Sequence, residues 1–384
     1  MITEGTPLKV TIAGGSIGGL CAGVALRGMG ADVRIFERHP GPMETRGAGI
    51  VVQADLIRLL RRNQAPPLPT TCCQVRRYLQ PDGGTGQQQA MPQDFTSWEA
   101  IYSTLRATFP EDRYHEGVSI ADVTQTGSHV IATGEDRAVI ESDLLLAADG
   151  ANSTLRRRLL PDVSAHYAGY VAWRGTLDEA TAPPALTAFF HDAFTFCESR
   201  SGGHILVYFI PGEGAATTPG RRRLNWVWYV RADDQELARL LIDKHGERHH
   251  ASLPQGLTPQ STIDELCGRA RREVHPRFAE LVAATSEPFV QTIVDVVVPK
   301  TVFGRIMLVG DAAFVVRPHT AGATAKAAHD AEVLIQSLAR AGQNVDAGIT
   351  AAERLQLDYG NDLVSHGIAL GNRWAAQPAR KVAI

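Results

Sequence analysis

Three short segments, far apart in the chain, carry residue types able to hold a phosphorylated, hydroxyl-rich ligand. Lys9-Val10-Thr11-Ile12-Ala13-Gly14-Gly15-Ser16-Ile17-Gly18-Gly19-Leu20 places glycines between an apolar run and an Ala- and Leu-rich stretch, and Glu37-Arg38 follows. Gly14 and Gly19 fit the outer positions of G-x-G-x-x-G, with Ser16 where the middle glycine belongs. A pyrophosphate needs a tight turn, a close backbone approach and a helix N-terminus aimed at it. Serine permits that approach and can donate its hydroxyl, and a carboxylate at Glu37 can accept both hydroxyls of a ribose. The second segment, Leu144 to Gly150, ends an apolar run in Asp149-Gly150. The third, Ile306 to Ala313, ends one in Gly310-Asp311.

Each segment has a plainer explanation. Strand, Asp-Gly, then a small polar cap is ordinary turn grammar. Gly14-Gly15-Ser16-Ile17-Gly18 also fits the nucleophile elbow of a serine hydrolase. That reading fails on context: only a handful of residues precede it, too few for the strands that supply an oxyanion loop, and Glu37 is left without a role. A dehydrogenase holding NAD in the same turn is a further alternative. The order and separation of the three segments favour an extended dinucleotide, FAD, whose two halves need polar groups from several strand ends.

The elements that would position these residues follow from pattern. Residues 8–13 read as a buried parallel strand, 20–29 as a helix capped by Gly30, and 32–37 as a second strand. Residues 66–69 form a loop, 81–84 a turn, 95–109 a helix, 114–140 short strands, and 144–148 another buried strand. The composition then becomes aromatic, with strands expected at 167–174, 188–197, 203–210 and 224–230, and an exposed loop at 211–223. Helices are expected at 235–244, 262–274, 324–341 and 349–374, and strands at 289–298 and 307–309.

Bulk properties narrow the class. A chain of 384 residues can hold two domains, and a net charge of −3 gives no nucleic-acid footprint. The runs Arg61-Arg62, Arg156-Arg157-Arg158 and Arg221-Arg222-Arg223 read as solvated faces. Five cysteines, an odd number without metal-ligand spacing, read as reduced, buried or half-buried thiols, and no metal site is expected. No leader-like segment or membrane span is visible, so a cytoplasmic protein is expected.

With Glu37, Asp149-Gly150 and Gly310-Asp311 in this order, and an aromatic sheet between the last two, the chain resembles the single-component FAD-dependent aromatic hydroxylases of the para-hydroxybenzoate hydroxylase fold group. Gly49-Ile50-Val51-Val52-Gln53, the 167–175 segment and Arg317-Pro318-His319 resemble its pyridinol-hydroxylating members. The resemblance implies an α/β fold: a Rossmann-like FAD-binding domain of the GR2 type, an inserted antiparallel-sheet substrate domain and a C-terminal helical segment. The corresponding ranges are 1–70, 95–165 and 290–345 for FAD, 71–94 and 166–289 for substrate, and 346–384 for the helices.

It also implies a cycle in which NADH or NADPH, bound transiently, reduces FAD, O2 adds to give a C4a-hydroperoxide, and one oxygen passes to a small hydroxylated aromatic or heteroaromatic substrate. FAD contacts are implied at Gly14, Ser16, Ile17, Gly19, Glu37, Arg38, Gln53, Asp149, Gly150, Gly310, Asp311, Pro318, Gly322 and Ala323. Substrate contacts are expected at His191, Phe196, Tyr208, Trp226, Pro318 and His319, although aromatic residues on a sheet also serve as plain core. His319 is the best-placed candidate for catalytic acid–base work, with a structural hydrogen bond as its rival role. Relatives imply a homodimer. Two departures from the group stand out: Ala321-Gly322-Ala323 replaces Gly-Gln-Gly, and Tyr102 replaces a flavin-binding arginine. Related chemistry (decarboxylative hydroxylation, Baeyer–Villiger-type insertion) and a non-catalytic flavin protein are the remaining alternatives.

Overall fold

Two large sheets position the site, and a third, of the three strands Ile120–Thr126, His129–Gly134 and Val139–Ser142, stands apart from them. The computed structural model describes residues 7–41, 43, 49–135, 137–342, 344–374 and 380–381. The first sheet has six strands in the order Val302–Phe303, Ile306–Leu308, Leu144–Ala147, Lys9–Ala13, Asp32–Glu37 and Tyr114–Glu116. Its strands are parallel apart from the 302–308 hairpin. Alternate side chains of its central strands enter two different cores. Val10, Ile12, Leu144 and Leu146 pack toward the helix Ile17–Gly28, while Ala13, Leu145, Ala147 and Leu308 pack on the other side. Burial on both faces is why these strands read as unbroken apolar runs.

The second sheet runs Phe289–Asp295, His166–Asp178, Arg223–Arg231, His204–Ile210, Ala193–Glu198, Thr71–Leu79, Thr85–Ser97 and Gly49–Val51, with Arg380–Lys381 added beside His166. It is antiparallel except where Ala193–Glu198 lies parallel to Thr71–Leu79. One face carries Trp173, Trp226, Trp228, Ile205 and Val207 against the helices Gln260–Glu273 and Pro276–Ala284. The other face turns Tyr170, Val227 and Tyr229 toward the first sheet.

Several element boundaries differ from the sequence expectation. The strand expected at 188–197 begins only at Ala193, because Pro184 opens a helix that runs to Phe190. The helix expected at 95–109 spans Trp98–Thr108; Ser97 accepts the Ala100 N–H and stops the preceding strand there. Strands 49–51 and 289–295 belong to the second sheet, so the boundaries drawn at residues 70, 95 and 290 pass through it. The C-terminal helix extends over Val345–Trp374, and the rest of the 346–384 range is described only at 380–381. Cys72 is exposed rather than buried. Among the described residues no helix is long and apolar enough to cross a membrane.

Candidate active site

The glycine-rich turn is closed by contacts that no side chain could share. A Cβ on Gly14, at φ +107°, would lie 2.3 Å from the Ala148 carbonyl oxygen. One on Gly19 would lie 1.9 Å from the Gly14 carbonyl oxygen. Glu37 braces the turn: its Oε2 accepts the Gly15 N–H at 2.7 Å and its Oε1 accepts the His39 N–H at 2.9 Å. Each carboxylate oxygen retains a lone pair for a ribose hydroxyl. The Tyr114 hydroxyl donates to the Gly15 carbonyl at 2.9 Å. The helix that follows has no side-chain cap at Ser16 and no acidic residue in its first turn. Its leading N–H groups and positive dipole end are therefore available to an anion.

Beside that helix N-terminus lie the other two strand ends. Asp149 accepts from the Ser153 hydroxyl and from the Thr154 and Leu155 N–H groups at 2.7 and 3.1 Å, capping the helix Thr154–Leu159. Gly150 and Asn152 line the cavity there, and Asp149 does not. Asp311 does line it and is open to the cavity; desolvation by the surrounding protein raises its carboxyl above the usual range, opposed by the nearby charges of Lys326 and Arg156. Arg156 is buried; its guanidinium donates to the carbonyls of Ala151, Asp311 and Ala312, tying the second strand end to the third. Its place in a basic run concealed this.

The cavity itself has a volume of about 2380 Å³. It runs from Ser16, Ile17 and Gly18 past Gln53 and Gly310-Asp311 to Pro318, His319, Gly322 and Ala323. Its far wall is the inner face of the second sheet, including His204, Tyr208, Tyr229 and Phe196. The helix Ala323–Ala341 starts against it, uncapped and without acidic residues in its first turn. Ala321 adopts φ +50°, the left-handed conformation in a residue with a Cβ.

His319 is held at the junction of sheet and turn. Its Nε2 shares a hydrogen bond of 2.8 Å with the Tyr170 hydroxyl, and its ring lies 4.4 Å from Tyr229 and 5.6 Å from His204. Burial, then the charges of His204 and Arg317, push its imidazole down to about 3, so the ring is neutral near pH 7. His204, also buried, is pushed down to about 4. Behind them Arg317 is fully enclosed. It donates to both oxygens of Asp295 and, at 3.2 Å, to Asn372 Oδ1. Lys326 is buried as well, 3.7 Å from Asp330.

The structure brings most expected residues to the cavity wall; Gly14, Gly19 and Glu37 stand behind it in the turn, and Arg38, Asp149, His191 and Trp226 lie off it. Phe196, Tyr208, Pro318 and His319 line it as expected. Trp226 does not: it projects from the opposite face of its strand, where its indole N–H donates to Thr285 Oγ1 at 2.9 Å. His191 is exposed at the end of the helix Pro184–Phe190, displaced by the misplaced strand boundary. Arg38 is exposed beside Glu37 and lies outside the cavity wall, and Asp149 is spent on its cap. Tyr102 stacks on Trp98 at 5.2 Å and meets the Tyr114 hydroxyl at 3.3 Å, so it shapes the helix beneath the cavity rather than its wall. Tyr229, Tyr170 and Arg174 were not expected at the site. Their period-two spacing on strands was the available signal, but which face was inward could not be read from it.

An uncapped helix N-terminus and an aspartate at the last strand end along one elongated cavity, with Glu37 bracing the turn behind them, fit FAD. A family model described as FAD binding domain-like matches residues 167–295. The chain is 33% identical to 2,6-dihydroxypyridine 3-monooxygenase of Paenarthrobacter nicotinovorans, over 92% of this chain and 88% of that protein. The solved structure of 2,6-dihydroxypyridine-3-hydroxylase from Arthrobacter nicotinovorans superimposes with a TM-score of 0.89 at 30% identity, covering 96% of this chain and 93% of that one. Aurachin C monooxygenase/isomerase of Stigmatella aurantiaca is 27% identical over 95% of this chain and 89% of its own. The chain belongs to the family of FAD-dependent aromatic monooxygenases represented by the Paenarthrobacter enzyme. FAD is its cofactor, NAD(P)H its reductant, and O2 and a small aromatic molecule its substrates.

Proposed function

We propose that the substrate is a small hydroxylated nitrogen heteroaromatic of the pyridinol type, hydroxylated on a ring carbon. The observation that carries this is the wall formed by Tyr208, Tyr229, His204 and His319, which offers flat apolar faces together with neutral hydrogen-bonding groups. Such a wall suits a planar ring that carries both a donor and an acceptor. The similarity to the Paenarthrobacter enzyme supports the same class.

Bound FAD supplies the electrons and the activation of O2; the chain supplies position and exclusion of water. Ser16, Ile17, Gly310 and Asp311 would hold the cofactor's extended part, and Gln53, Pro318, Gly322 and Ala323 its ring end. His319, neutral and fixed by Tyr170, would bond to a ring hydroxyl and orient the carbon to be attacked. The homodimer implied by the resemblance and the cytoplasmic setting expected from the sequence belong to this proposal, and size-exclusion chromatography with light scattering checks the first.

The deciding experiment offers hydroxylated pyridines, phenols and bicyclic lactams to the holoenzyme, follows stimulation of flavin reduction, and identifies oxygenated products by mass. Pyridinols are expected to stimulate reduction and gain one oxygen. NAD(P)H oxidation with stoichiometric peroxide, indifferent to every ring compound, would leave only a flavin-binding redox protein.

A further inference from the structure

Among the described residues three arginines line the cavity, and they are held in two different ways. Arg223 is paired with carboxylates, those of Asp178 and Glu99. Arg76 and Arg174 are held by glutamine amides: Arg76 Nη2 donates to Gln93 Oε1 at 3.2 Å, and Arg174 Nε donates to Gln291 Oε1 at 2.7 Å. An amide anchors a guanidinium without cancelling its charge. Among the described residues no ion pair to a carboxylate is formed by either. Arg76 spends its planar face on Phe194 and Phe196, at 5.4 and 5.5 Å from the ring centres.

Arg174 is differently placed. It lies on the strand His166–Asp178, an even number of residues from Tyr170, so both project from the inner face of the sheet. Its charge acts on the Tyr208 and Tyr229 hydroxyls, drawing each down against the burial that raises them. Tyr229 is also the ring that lies 4.4 Å from His319. Arg174, Tyr229 and the neutral imidazole of His319 all line the same cavity. That imidazole, pushed down to about 3, is ill suited to store a proton taken from a ring hydroxyl. A half-buried guanidinium without a counter-ion gains most from an anionic ligand.

We propose that Arg174, fixed by Gln291, is the substrate-anion site: it holds the oxyanion of an acidic ring hydroxyl and selects such rings over neutral ones of the same shape. This rests on the proposed hydroxylation of a hydroxylated heteroaromatic. The proton of that hydroxyl is lost to solvent, and the guanidinium keeps the anion in place.

The test compares binding of 2,6-dihydroxypyridine and 2,6-dimethoxypyridine to the holoenzyme, read from the flavin absorbance change, with the ultraviolet spectrum of the bound dihydroxy compound reporting its ionisation. Wild type is expected to prefer the dihydroxy compound and to bind it as the anion. Arg174→Gln should weaken that binding roughly 10- to 100-fold, the value of a charged hydrogen bond, and abolish the anion signature. Gln291→Glu, which leaves Arg174 in place but neutralises it with a carboxylate, should act in the same direction, and Arg174→Lys should restore part of the loss. Unchanged affinity and an unchanged bound spectrum in Gln291→Glu, with FAD retained, would overturn the assignment. A wild-type enzyme that no hydroxylated ring stimulates would instead remove the substrate reading itself, and the assignment with it.

Discussion

His319 shows how much of a side chain's chemistry its surroundings decide. The type and the motif were visible in the sequence; the protonation state was not, because burial, His204 and Arg317 together keep the ring neutral. His319→Ala is expected to slow oxygen transfer while FAD stays bound, and stopped-flow spectra with a product assay would show it; turnover equal to wild type would remove the residue from the chemistry. Burial of His204 also ties folding to acidity. Its folded-state value, about 4, lies below the ordinary histidine value, so the unfolded chain binds the extra proton first. Stability is then full above about pH 6.5 and falls as the pH drops toward 4, by up to about 3 kcal/mol for this one group. Urea titrations across that range should show a slope that His204→Phe flattens; an identical slope in the variant would mean that other groups govern the acid limb.

At the scale of turns and helices, the close contacts set the sharpest expectations. Gly19→Ala would drive a methyl group into the Gly14 carbonyl, which the turn cannot move without opening the pyrophosphate cradle. Loss of bound FAD after purification, seen as a colourless protein with native circular dichroism, is the expected result. Ala321→Gly should act the other way. The left-handed conformation costs an L-residue about 1–2 kcal/mol, and glycine's greater freedom in the unfolded chain takes back about 0.5–1 kcal/mol. A net gain of about 0.5–1 kcal/mol in urea unfolding is expected; a loss would show that the methyl group packs usefully. The glycine turn and buried strands of the first sheet were legible because parallel strands and phosphate-binding turns constrain residue type strongly. Trp226 and His191 were misplaced because a strand's inward face is fixed only by its partners, and because Pro184 began a helix inside an expected strand.

Across the whole molecule, Arg317 joins three parts of the chain: Asp295 at the end of a second-sheet strand, the turn that carries His319, and Asn372 on the last helix. Asp295→Ala leaves that guanidinium buried without a counter-charge, at a cost of about 3–5 kcal/mol. Denaturation midpoints of the variant should fall accordingly, and replacing both partners by apolar residues should recover much of the loss. The pair lay outside the reach of the sequence because its members were joined only by folding; Arg317 itself could equally have been a surface residue. The order of strands has a further consequence. Val10 pairs beside Leu144, Leu145 beside Ile306, and Val75 beside Ala193. During synthesis, at roughly 5–20 residues per second, the first sheet must wait for its closing strand until the eight main strands of the second sheet, through Phe289–Asp295, have been made. Such long-range pairing makes for slow folding and prolonged exposure of apolar edges. In a living cell, the supply of active enzyme should therefore depend on chaperones and growth temperature more steeply than the stability of the finished molecule would suggest.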